Sequence, residues 1–153
     1  MILARRAMLL MLLAAGSVAA ADPATSLRHV AKGVTSGATD GNAFMVLRTA
    51  DDLAAALKLA GSRAAGGGAG DVAPAVDFDH ELVVGVLLSN RPTGCAGVDI
   101  TAIAQDGIVS VVHFRERKPG KGQACEDTPY SPFDFVAAPK TNAPFRFTQD
   151  DEP

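Results

Sequence analysis

Tryptophan is absent from this 153-residue chain, and tyrosine occurs once, as Tyr130. The aromatic platforms on which bases or sugars stack are therefore scarce. Positive charge is not in excess either. With a net charge of −3 the chain has no electrostatic reason to hold nucleic acid or an anionic membrane surface.

Long apolar runs are missing as well. The stretch Ala7 to Ala15 falls well short of the roughly 20 residues that a membrane-spanning helix needs. It follows Arg5 and Arg6 and leads into the small residues Gly16 to Ala21. A basic start, a short apolar run and a small-residue end make a secretory signal, with cleavage after Ala20 or Ala21. Residues 1–21 are thus expected to be removed, leaving 22–153 as one domain in the periplasm or the medium. That length supports one hydrophobic core and is too short for two. No cysteine stands near the cut to carry a lipid.

Cysteine occurs twice, as Cys95 and Cys125. In an oxidising compartment an isolated pair is most simply a disulfide. Two buried free thiols or a redox pair are the alternatives, although a redox pair usually has the close C-x-x-C spacing.

Catalytic patterns are also wanting. Gly68-Ala69-Gly70-Asp71-Val72-Ala73 spells a dinucleotide loop, but no strand feeds it and Pro74 prevents a helix from opening on it. Gly120-Lys121-Gly122 lacks the rest of a phosphate loop. No G-x-S-x-G elbow or H-E-x-x-H pair occurs. No catalytic residue and no cofactor is assigned on these grounds. Asp77, Asp79, His80 and Glu81 form the densest set of metal-ligand types, and in an extended segment Asp77, Asp79 and Glu81 would share a face. A small metal-dependent hydrolase would use this cluster; the plainer reading is a solvated turn. His29, His80 and His113 lie far apart, and none neighbours a nucleophile in a recognisable pattern.

What remains is a pattern of short strands with one helix. Strands are predicted over Arg28–Val34 and Ala43–Thr49. Thr49 then caps a helix with Asp51 and Asp52 in its first turn; Leu53, Ala56, Leu57 and Ala60 fall on one face, and Gly61 ends it. Gly61 to Pro74 is too rich in glycine for a single conformation and reads as a surface loop. The run Glu81–Leu88 is apolar almost throughout, as a strand covered on both faces must be. Asp106-Gly107 joins predicted strands Val98–Gln105 and Ile108–Arg117 as a hairpin. Lys118–Pro132 reads as loop, Phe133–Ala137 and Phe145–Phe147 as strands, and Asp150 to Glu152 as a solvated tail. The fold class is α+β, mainly β: an antiparallel sheet with one helix packed against it.

His113, Arg115 and Arg117 share one face of their strand and, with Lys118 and Lys121 beyond it, form a basic edge on an acidic chain. Charge guarding a strand edge accounts for it; a docking patch for an acidic partner is the functional alternative.

Several motifs in order carry a likeness: Val83-Val84-Gly85-Val86, Arg91-Pro92-Thr93-Gly94, Val98-Asp99-Ile100, Glu116-Arg117-Lys118-Pro119, and Thr128-Pro129-Tyr130-Ser131-Pro132-Phe133 closing on Pro139-Lys140. Together they resemble the C-terminal domain of the protease complex subunit PrcB family, most densely over 76–140. The family pattern favours Gly-Gly-Tyr where this chain has Gly94-Cys95-Ala96. The resemblance implies an exported, non-enzymatic accessory domain that binds another exported protein, a secreted protease in one setting, and it brings no catalytic residues. The expected contact residues are Arg91, Pro92, Thr93, Arg115, Arg117, Lys118, Lys121, Pro129 and Tyr130, flanking the two cysteines. Protease inhibition through an exposed Lys118–Thr128 loop is a further alternative. Nothing in the sequence sets an oligomeric state.

Overall fold

A computed structural model describes residues 27–36, 40–61 and 75–151. The expected signal peptide, the glycine-rich stretch beyond Gly61 and the end of the acidic tail lie outside these residues. Seven strands and one helix follow in the order β1 (Arg28–Thr35), β2 (Ala43–Leu47), α1 (Ala50–Leu59), β3 (Glu81–Leu87), β4 (Gly97–Asp106), β5 (Val109–Arg117), β6 (Ser131–Pro139) and β7 (Phe145–Gln149). The class is α+β and mainly β, as the pattern predicts.

The strands divide into two sheets rather than one: a four-stranded antiparallel sheet ordered β1-β6-β3-β2, and a three-stranded sheet ordered β4-β5-β7. The physical reason lies in β3 and β6, which are apolar on both faces and so need cover on both sides. Val83, Leu87, Phe133, Phe135 and Ala137 meet Ala56 and Ala60 of the helix, with Leu53 and Leu57 partly buried beside them. The opposite faces, with Leu82, Val84, Val86, Val136 and Ala138, meet Val98, Ile100, Val112 and Phe114 of the second sheet. Helix, sheet and sheet thus stack in three layers with two apolar interiors. β7 lies parallel to β5, pairing Ser110 with Phe145 and Phe114 with Gln149, which is the one departure from antiparallel pairing among the described strands.

Local chemistry fixes the boundaries. Thr49 caps α1 by accepting from the Asp52 amide, while the Asp52 carboxylate accepts from the Thr49 amide, a reciprocal pair that satisfies two of the free donors at a helix start. The β4–β5 hairpin is shifted one residue from expectation. Asp106 pairs with Val109, so the two turn residues are Gly107 and Ile108. Gly107 has φ 60°, as the first central position of a type II′ turn requires, and Ile108 is left 82% exposed instead of joining the strand. β6 begins at Ser131, earlier than predicted, and everything from Ser131 to Ala138 is buried.

One of those buried residues is charged. Asp134 is fully inaccessible in the middle of β6. Its Oδ2 accepts from the Ile100 amide of β4 at 2.8 Å, and its Oδ1 pairs with His29 Nδ1 of β1 at 2.8 Å. It therefore joins both neighbours on one side of the sandwich, where each supplies a polar group that would otherwise stand unpaired. A bulge at Val30 makes this geometry available: it turns both Val30 and Ala31 into the helix-side core and leaves His29 and Lys32 facing the second sheet. Lys32 bonds to Asp99 of β4 beside them. The opposite side of the sandwich closes with aromatic contacts, Phe44 of β2 stacking on Phe147 of β7 at 5.1 Å and tilting against Phe114 at 5.5 Å.

Burial pushes the Asp134 carboxyl above its ordinary range, outweighing the pull of the Ile100 amide and of His29. A carboxyl raised on folding adds stability below its unfolded value, near 3.9, and loses it as pH climbs through the folded one. Asp134→Asn keeps an acceptor for Ile100 and has no charge to bury. Chemical unfolding across pH 3 to 8 should therefore show the variant gaining on the wild type as pH rises. Asp134→Ala should cost about 1–3 kcal/mol throughout, because it leaves the Ile100 amide unpaired. A wild-type-to-Asn difference that stays flat with pH would contradict this role.

Candidate functional site

The three segments expected to contact a partner converge around the two cysteines. Arg91 and Tyr130 form an isolated antiparallel bridge, the Arg91 amide donating to the Tyr130 carbonyl at 2.8 Å and the Tyr130 amide returning at 3.1 Å. Three residues on, the Gly94 amide donates to the Glu126 carbonyl at 3.1 Å. The Tyr130 ring lies over Gly94 so closely that a Cβ there would meet Cε2 at 3.2 Å, which accounts for glycine at that turn. Cys95 and Cys125 then close the pair of segments as a disulfide, with Cα atoms 5.6 Å apart.

Arg91 holds this frame from below. Its Nε and Nη2 engage both carboxylate oxygens of Glu116 on β5, the latter at 2.9 Å, and its Nη1 donates to the Ser89 carbonyl and hydroxyl at 2.9 Å. Such a bidentate pair is planar and directional. Its hydrogen bond to Arg91 holds the Glu116 carboxyl below its ordinary range and raises the guanidinium in turn. The guanidinium that the sequence puts forward as a contact is thus a strut inside the fold. The exposed groups of this end are Pro92, Lys118, Lys121 and Pro129, with Thr93 half-buried. Lys121 stands in a turn closed by the Gln123 amide on the Gly120 carbonyl at 3.0 Å and by the Gly120 amide on Gln123 Oε1 at 2.9 Å.

Arg115 and Arg117 occupy a second surface, the face of β4-β5-β7 turned away from the core. Arg117 Nε bonds to Asp99 Oδ2 at 2.7 Å. Burial works against the ionisation of Asp99, but the hydrogen bond from Lys32 and the charges of Lys32 and Arg117 overrule it and hold the carboxyl below its usual range. Arg115, two residues before Arg117 on β5, forms no ion pair with a described residue.

All three histidines share an arrangement that sequence reasoning misses: each presents Nδ1 to an aspartate at 2.8 Å, His29 to Asp134, His80 to Asp77 and His113 to Asp150. Only His80 and Asp77 are close in sequence; the other pairs are 105 and 37 residues apart, so no local spacing signals them. Asp150 also accepts from Thr101 Oγ1 at 3.2 Å, and its amide donates to the Phe114 carbonyl at 2.8 Å. It therefore belongs to the fold rather than to a solvated tail. The hydrogen bond from His113 holds its carboxyl below the ordinary range.

The acidic cluster is not extended. Val76 and Phe78 pack against the helix-side core, and the chain turns to let them, with the His80 and Glu81 amides donating to the Asp77 carbonyl at 3.0 and 2.7 Å. Asp77 Oδ1 accepts from the Asp79 amide at 3.1 Å, while Glu81 Oε2 takes Arg28 at 2.5 Å and the Asp77 amide at 3.1 Å. The Asp77 and Glu81 carboxylates are thus engaged by their own turn and by Arg28. Among the described residues no three histidine, cysteine or acidic side chains are grouped to hold a metal ion. Nor is any described helix long and apolar enough to cross a membrane.

No family model matches the chain, and neither a curated protein nor a solved structure matches it. The likeness to the PrcB family rests on the residues quoted for it.

The disulfide closes a loop between cysteines 30 apart, worth about 3.6 kcal/mol in the chain-entropy account. Replacing both cysteines by serine should lower the stability measured by urea unfolding by about 2–4 kcal/mol. A loss under about 1 kcal/mol would mean that the Arg91 bridges alone hold the two segments.

Proposed function

We propose that the chain is an exported, non-catalytic domain that binds another exported protein, serving it as an accessory subunit. The observation that carries this reading is the triple tie of the Arg91–Thr93 and Lys118–Tyr130 segments by the Arg91–Tyr130 bridge, the Gly94–Glu126 bond and the Cys95–Cys125 disulfide. Polar loops held this way lose little freedom on binding, so their contacts translate into affinity rather than into ordering. A catalytic site is built differently, with a convergent nucleophile, base and charge stabiliser. The Asp77–Glu81 turn lends a hydrolase reading no support, since Asp77 and Glu81 accept from the turn's own backbone amides and Asp77 also pairs with His80 at the surface.

A periplasmic or secreted location agrees with the disulfide and with the signal-like start Met1 to Ala21. The PrcB-like motifs favour a protease as the partner. Lys118, Lys121, Pro92 and Pro129 are its contact residues in this reading, with Arg91 and the disulfide setting their geometry.

Site-specific photocrosslinking in the native envelope tests the proposal. A crosslinker at Lys121 or Pro129 should give one dominant adduct with an exported protein, and the double cysteine-to-serine change should reduce it severalfold. A crosslinker at Leu59, exposed on the helix, should give none. Equal labelling from Leu59 and Lys121, or no adduct from either loop position, would contradict the assignment.

A further inference from the structure

We infer that Arg115 is the centre of a carboxylate-recognition site on the outer face of the three-stranded sheet, built to receive an acidic side chain of a protein partner. The inference rests on the reading of this chain as a protein-binding domain and names the chemistry that its partner presents.

Arg115 lies on the central strand β5, and its register partner across the ladder is Asp99. Opposite charges placed so would ordinarily pair. They do not, because both oxygens of Asp99 are taken, one by Lys32 and one by Arg117. The other acid near Arg115 is Asp150, whose oxygens are held by His113 and Thr101. At the far end of the face Arg146 closes on Asp106 at 2.9 Å. Among the described residues Arg115 is therefore left without an ion pair, and only its longer-range charge acts on Asp150.

Its guanidinium forms no hydrogen bond or ion pair with any described residue, and its Nε is buried without a partner, alone in this among the described buried side-chain nitrogens and oxygens. A buried N–H with nothing to donate to is unusual in a folded chain and calls for an explanation. Arginine's planar fork matches a carboxylate in a bidentate pair. Asp99 already serves two cations, Lys32 and Arg117, so the carboxylate that matches the Arg115 fork has to come from a partner. Thr101 and Ala102, next along β4 from its register partner Asp99, are exposed.

The test is an NMR titration of the purified full chain with the blocked peptide Ac-(Gly-Glu)3-NH2, and with Ac-(Gly-Gln)3-NH2 as its neutral counterpart. The acidic peptide should shift the Arg115 Nε–H resonance and the amides of β5 and β7 saturably, and the neutral one should not. Arg115→Gln should abolish the response. Arg115→Lys, which keeps the charge and loses the fork, should weaken it at least threefold. Unchanged amide spectra elsewhere in both variants would show that they fold. The proposal is overturned if the shifts fall only on the Lys118–Lys121 loop, if they persist in Arg115→Gln, or if both peptides act alike. It is likewise overturned if the Arg115 resonance moves on dilution of the protein alone, which would make a second copy of the chain its occupant. A positive titration without an envelope crosslink would leave this site standing and remove the accessory reading; a crosslink without the titration response would do the reverse.

Discussion

A single buried carboxylate determines how the two sheets of this protein meet. Asp134 sits where β1, β6 and β4 come together, and it is the acceptor for an amide on one sheet and the partner of an imidazole on the other. Placing a charge there is unfavourable in itself, as the upward displacement of its ionisation shows. What it provides is registration. Apolar surfaces slide past one another at little cost, whereas one fully engaged carboxylate fits only where the Ile100 amide stands opposite. The bulges at Val30 and Thr101 place His29 and Ile100 within its reach.

From that junction the two proposed contact faces follow. Fixing the start of β4 against β6 also fixes the turn that precedes β4 and the loop that precedes β6, and those are the segments that Arg91, Tyr130 and the disulfide tie together. The same placement brings Lys32 to Asp99, and with Arg117 on its other oxygen Asp99 is withheld from Arg115. The free guanidinium on the outer sheet is thus a consequence of how the inner one is clamped. On the far side the Phe44, Phe114 and Phe147 contacts close the sandwich with apolar area alone and impose no comparable specificity.

Much of the framework was legible from short-range pattern. The apolar run Glu81–Leu88 announced a strand covered on both faces, and Thr49 with Asp52 announced a helix start, because each signal is completed within a few residues. The sequence pattern shortens β6 to Phe133–Ala137, since Ser131-Pro132 and Pro139 look like loop residues until their pairing with β1 and β3 is known. The hairpin was displaced by one residue because Asp-Gly fits either the centre or the first half of a tight turn, and only the pairing of Asp106 with Val109 decides between them. The second sheet was invisible for a deeper reason: that β3 and β6 need cover on both faces follows from sequence, but which strands supply it is a long-range matter. The histidine–aspartate pairs and the vacancy at Arg115 are of the same kind. Of the candidate site, the cysteine pair and the exposed lysines could be read directly, while the inward role of Arg91 depends on Glu116, 25 residues away, on another strand.

Amide hydrogen exchange at Ile100 in the wild-type protein is the most direct probe of this account. If Asp134 locks the sheets together, the Ile100 amide, although on an edge strand, should exchange as slowly as the core amides of β3 and only through global opening. Exchange at the rate of an unprotected edge amide, with β3 still protected, would show that the sheets meet without this bond and that the two surfaces are not fixed by it.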